Sequence, residues 1–164
     1  MKRFASASFC LLLALCLLGG CAAPADSVIT CGDISLSLPA DFTDLKDLSV
    51  AQSADFLYGR DTLIVMGLSE PKESLPSMTL EEYTSLVIQG NGLDVTWEKL
   101  PGGCRFAYEA PVGEDTYTYV AMTCEGPDNF WIVQCYCPKG TLSGNIEAID
   151  RILESISTEI PAGN

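Results

Sequence analysis

The chain has 164 residues, a formal charge of −13 at pH 7 and no histidine. Without histidine, every Ser-His-Asp and Cys-His arrangement is excluded, and so is the usual base near neutral pH. The acidic balance, with no basic patch, disfavours nucleic acid and anionic lipid surfaces as partners, and its commonest physical reason is solubility.

In chain order, Met1-Lys2-Arg3 supplies two positive charges, an uncharged run follows from Phe9 to Leu18, and Gly19-Gly20 closes it. A spanning helix needs about 20 apolar residues. This run is half that length, so it predicts an export signal with a basic start, a short apolar core and small residues at the cut. Leu18-Gly19-Gly20-Cys21 resembles a bacterial lipobox. That resemblance implies cleavage between Gly20 and Cys21 and a diacylglyceryl group on the Cys21 thiol. Two acyl chains, at about 0.8 kcal/mol per buried methylene, anchor stably. The implied location is the extracytoplasmic face of the cell membrane. Loss of residues 1–20 leaves 144 residues, enough for one domain with a core. With Lys2 and Arg3 gone, 7 basic side chains face 22 acidic ones, a formal −15.

Residues 21–27 then read as the lipidated cysteine and a short tether, and residues 28–160 as a single domain. Ile34 to Pro39 alternates apolar and polar at period two and stops at proline, which predicts a strand. Asp41, Asp44 and Asp47 recur at a spacing of three, the pattern of a solvated helical face. Ala54–Tyr58 and Thr62–Leu68 flank a Gly-Arg-Asp turn and predict a hairpin, and the continuous Leu63-Ile64-Val65-Met66 predicts burial on both faces. Thr79-Leu80-Glu81-Glu82 has the form of a capping box, and Leu80, Tyr83, Leu86 and Val87 predict one buried helical face, ended by Gly90-Asn91-Gly92. Four β-runs follow, at Val95–Leu100, Cys104–Ala110, Thr116–Cys124 and Phe130–Cys137, separated by turn-forming segments. They predict an antiparallel meander. Ile146, Ile149, Ile152, Leu153 and Ile156 predict a closing helix, with Glu147 and Arg151 spaced to pair. Together these elements predict an α+β fold, an α/β/α sandwich with a largely antiparallel sheet of about six to seven strands.

The pattern resembles the PsbP-like fold family. The residues that carry the resemblance are the strand ending in Leu38-Pro39-Ala40-Asp41-Phe42, the helix Thr79–Gln89, the meander with its aromatics and the closing helix Asn145–Ser157. It implies a non-catalytic accessory or binding module. The expected ligand is an unidentified protein or small molecule, and no cofactor is expected.

Of the eight cysteines, Cys31, Cys104, Cys124, Cys135 and Cys137 belong to the domain. A symmetric loop over Val112–Asp115 predicts Cys104 opposite Cys124, Phe106 opposite Met122 and Tyr108 opposite Val120. The next hairpin sets Met122 against Val133 and Val120 against Cys135. On that register Cys104, Cys124, Cys135 and Cys137 share one core face. Three readings of them stand: small buried hydrophobes, a Cys104–Cys124 disulfide across the strands, or a thiol or metal centre at Cys135-x-Cys137, which lacks the two-residue spacing of zinc knuckles.

Tyr108, Tyr117, Tyr119, Tyr136 and Trp131 fall within the meander and invite carbohydrate or peptide binding. Tyr117 and Tyr119 are placed opposite the cysteines, where a covering helix is expected to pack on them. Glu81, Glu82, Glu114 and Asp115 sit at a helix start and a turn tip, where acids belong structurally. They leave a carboxylate-only hydrolase as the one catalytic alternative beside a thiol-dependent protein. Nothing pairs a nucleophile with a base to activate it.

Overall fold

The computed structural model describes residues 26–47 and 53–158. Gly20, Cys21 and most of the tether lie outside the described residues, as do residues 48–52 and Pro161. Strands β1 (Ser27–Cys31) and β2 (Ile34–Leu38) form a hairpin of their own. In β2 the alternation works as predicted, with Ile34, Leu36 and Leu38 buried and the serines half-buried. β1 has no counterpart among the predicted elements, because its side chains are mostly exposed and carry no core pattern.

The remaining strands make one antiparallel sheet: β3 (Thr43–Asp44), β4 (Phe56–Arg60), β5 (Leu63–Pro71), β6 (Glu98–Leu100), β7 (Gly103–Val112), β8 (Asp115–Glu125) and β9 (Asn129–Pro138). Their spatial order is β3-β4-β5-β9-β8-β7-β6. Helix α1 (Leu80–Gly90) covers part of one face, and α2 (Leu142–Glu154) with the β1–β2 hairpin covers the other. This is the α+β sandwich expected, with seven strands in the main sheet. Among the described residues no helix is long and apolar enough to cross a membrane.

Several local expectations are corrected. Asp41 and Asp44 do not share a helical face: Thr43 and Asp44 pair with Gly59 and Tyr58 as an edge strand, and Asp41 meets Arg60 at 3.3 Å. Main-chain pairing at the sheet edge outweighs a three-residue charge pattern. The run from Val95 forms a strand only over Glu98–Leu100, since Leu93, Val95 and Trp97 pack against the core cluster under α1. The capping box of α1 forms as expected, but its buried face is Tyr83, Thr84 and Ile88, while Leu86 is 46% exposed. Arg151 donates to Asp26 at 2.6 Å instead of pairing with Glu147.

The register of the β7–β8 hairpin differs by one residue from the expected one. A two-residue turn at Gly113-Glu114 closes with Val112 opposite Asp115, and Gly113 has φ +66°. Only glycine adopts that angle without steric cost, which favours the tight closure. Cys104 therefore faces Thr123, Phe106 faces Ala121 and Tyr108 faces Tyr119. A slip of one residue turns every side chain of β7 to the other face. The β8–β9 register is as expected, with Met122 opposite Val133 and Val120 opposite Cys135.

Candidate functional site

Register pairing sets Tyr108, Tyr119, Tyr136 and Ile64 in one row across β7, β8, β9 and β5. Adjacent strands lie about 4.8 Å apart, and the rings stack at that spacing: 4.8 Å between Tyr108 and Tyr119, 4.9 Å between Tyr119 and Tyr136. Tyr117, two residues from Tyr119 on β8, meets Tyr136 edge-on at 6.3 Å. The four phenols form a ladder on the face that α1 covers only in part.

Why α1 covers only part of this face follows from what it packs on. Tyr83 stacks on Phe130 at 4.7 Å, the buried hydroxyls of Thr84 and Thr123 meet at 2.6 Å, and Ile88 packs with Phe106, Ala121 and Ile132. These contacts hold the helix over one half of the sheet. The other half keeps Ile64, Met66 and the ladder tyrosines half-buried. This corrects two expectations: the strand Leu63–Met66 is fully buried only on the α2 side, and Tyr117 and Tyr119 pack on other tyrosines and not beneath a helix.

Burial pushes the Tyr108 phenol up to about 12, with the neighbouring Tyr119 adding to it and a hydrogen bond to Gln134 opposing it. Tyr119 and Tyr136 are raised by burial and then by their tyrosine neighbours. Raised above the ordinary tyrosine range, Tyr108, Tyr119 and Tyr136 keep their hydroxyl protons at physiological pH.

On the opposite face lie Cys124, Cys135 and Cys137, buried with Trp131, Met122 and Val133 beneath α2. Cys104 is on the α1 face with Thr123, so its side chain and that of Cys124 point to opposite sides of the sheet. The directly opposite placement on which a bridge was expected is absent, and both thiols are free. Burial pushes Cys124 up to about 12 and raises Cys135 further, away from the thiolate needed for nucleophilic or metal chemistry. Glu81 pairs with Lys99, and Glu82 accepts from the Thr79 N–H to close the capping box.

A buried carboxylate with no counterpart among the sequence expectations is Asp33, in the turn between β1 and β2. It accepts hydrogen bonds from Trp131 Nε1 (2.5 Å), the Asp128 N–H (2.8 Å), the Asn129 N–H (3.0 Å) and Asn129 Nδ2 (3.1 Å). These bonds fasten the hairpin to the β8–β9 turn. The Gly32-Asp33 turn pair was the only local signal of it.

No family model and no curated protein sequence matches the chain. Solved structures do. A crystal structure from Bacteroides thetaiotaomicron is 11% identical with a TM-score of 0.54, over 79% of this chain and 46% of that one, so the chain spans about half of its length. LpqN, described as involved in cell envelope biogenesis of Mycobacterium tuberculosis, is 14% identical with a TM-score of 0.50, over 81% and 90%. The cyanobacterial PsbP of Synechocystis is 9% identical with a TM-score of 0.48, over 86% and 98%. What the first two of these matches share with this chain is the fold.

Proposed function

We propose that the chain is a lipid-anchored, extracytoplasmic binding module that holds a neutral, hydroxyl-rich polymer of the cell surface, a glycan, on the tyrosine ladder and catalyses no reaction. The observation that carries this reading is the ladder itself: stacked, half-exposed phenols on the sheet face that α1 covers only in part. Ring edges and hydroxyls offer apolar contact and hydrogen bonds together, the combination that suits sugar rings. The strong negative charge of the chain selects against anionic polymers. The lipobox residues Leu18–Cys21 support anchoring through a diacylglyceryl group on Cys21. The β1 strand that follows the tether packs on the α2 face, so the ladder points away from the layer that carries the anchor. The envelope role printed for LpqN, a protein of the same fold, is in keeping with this reading. The lack of histidine and the burial of the β-strand thiols support a role without catalysis.

The test is co-sedimentation of the detergent-solubilised full chain with insoluble cell-wall polysaccharide. Wild type is expected in the pellet, and Tyr119→Ala is expected to weaken binding about 10-fold, as for a central aromatic contact. Equal sedimentation of the two proteins would overturn the assignment of the ladder. Labelled palmitate should enter the wild type and not Cys21→Ala.

A further inference from the structure

On the face away from the ladder, a cavity of about 330 Å³ opens between the β6–β7 turn and the C-terminal half of α2. Leu100, Pro101, Met122 and Leu153 form its apolar walls. Concave, mainly apolar cavities of this size with a few convergent polar groups are where small ligands bind. The polar groups here are Arg105, Asp150 and Glu154.

The charges around the cavity do not cancel. Arg105 is already committed to Asp150 at 2.7 Å. Glu154 has no cationic partner among the described residues, and Glu98, opposite Arg105 in the β6–β7 register, has none either. The other basic side chains near this region are spent: Arg151 on Asp26 and Lys99 on Glu81. Glu154 also closes α2, where the helix's own negative end disfavours a carboxylate. An unneutralised acid at that end makes the mouth of an apolar cavity a place where positive charge is favoured.

We infer that this cavity is a second binding site, separate from the ladder, for a small amphipathic cation: an apolar body against Leu100, Met122 and Leu153, and an ammonium group beside Glu154. Asp150 sets the sign of the site, because it neutralises the one guanidinium that could otherwise attract an acid.

Three probes with the same body and different heads test this: phenethylamine, 2-phenylethanol and phenylacetate, titrated into the detergent-solubilised full chain. The ε-methyl NMR signal of Met122 reports occupancy, and the Met78 methyl, remote from the cavity lining, reports partition into detergent. Phenethylamine should shift Met122 and phenylacetate should not, with the alcohol between them. Glu154→Gln, an exposed change at a helix end, should weaken the amine about 3-fold at low salt, the scale of one partly exposed charge pair. Asp150→Asn should release Arg105 and turn the preference toward phenylacetate. Preference of the wild type for the acid would overturn the inference, as would Met122 shifts that do not depend on the head group or that track those of Met78. Loss of ladder binding would leave these results unchanged.

Discussion

Asp33 joins two parts of the fold through four hydrogen bonds to one buried carboxylate. A carboxylate has acceptor capacity for all four donors, whereas an amide turns its own N–H groups toward some of them. Asp33→Asn should therefore cost about 3 kcal/mol in chemical denaturation, the scale of a buried charged acceptor lost to its donors. Burial by itself raises this carboxyl, but the bonds from Trp131, Asp128 and Asn129 outweigh it and hold the group below its ordinary value of 3.8. A lowered folded-state value means stability that is present above the unfolded value and is lost as pH falls through the folded one. The gap between wild type and Asp33→Asn should accordingly narrow below about pH 4. A gap independent of pH would contradict the charged state of Asp33. Beyond the Gly32-Asp33 turn pair nothing in the local sequence marks this acid, since its donors lie at and just after the β8–β9 turn, Trp131 on β9 among them at 98 residues' separation.

At the scale of elements, the pattern of alternation placed β2, β4, β5 and the meander, and Thr79-x-x-Glu82 placed the start of α1. What it did not place was the register of β7 against β8. One residue in a turn decides it, and both candidate registers bury an apolar set: Phe106 against Met122 in the expected one, Phe106 against Ala121 in the actual one. The actual register moves Tyr108 beside Tyr119 and separates Cys104 from Cys124. The candidate site and the loss of the expected bridge are thus one event. Thiol titration measures it: Cys104, Cys124, Cys135 and Cys137 are fully buried and Cys31 half-buried. In the folded domain the four buried thiols should be inert to a thiol reagent and react only on unfolding. A Cys104–Cys124 bridge found by non-reducing peptide mapping would contradict the register.

At the scale of the whole molecule, four features divide between two faces. The hairpin that follows the tether and the α2 layer occupy one, and α1 with the ladder the other. The covered half of the ladder face is a core; the uncovered half keeps aromatic surface that folding alone does not bury. The exposed part of this face was not legible in the sequence, because it depends on where an 11-residue helix ends over a seven-stranded sheet. The most direct measurement is NMR of the full chain with isotope-labelled tyrosine rings, titrated with soluble cell-wall glycan fragments. The account predicts shifts confined to Tyr108, Tyr117, Tyr119 and Tyr136, with Tyr58 and Tyr83 unmoved. Shifts at Tyr58 or Tyr83 with the ladder silent would contradict it, and so would no shift at any of the six tyrosines.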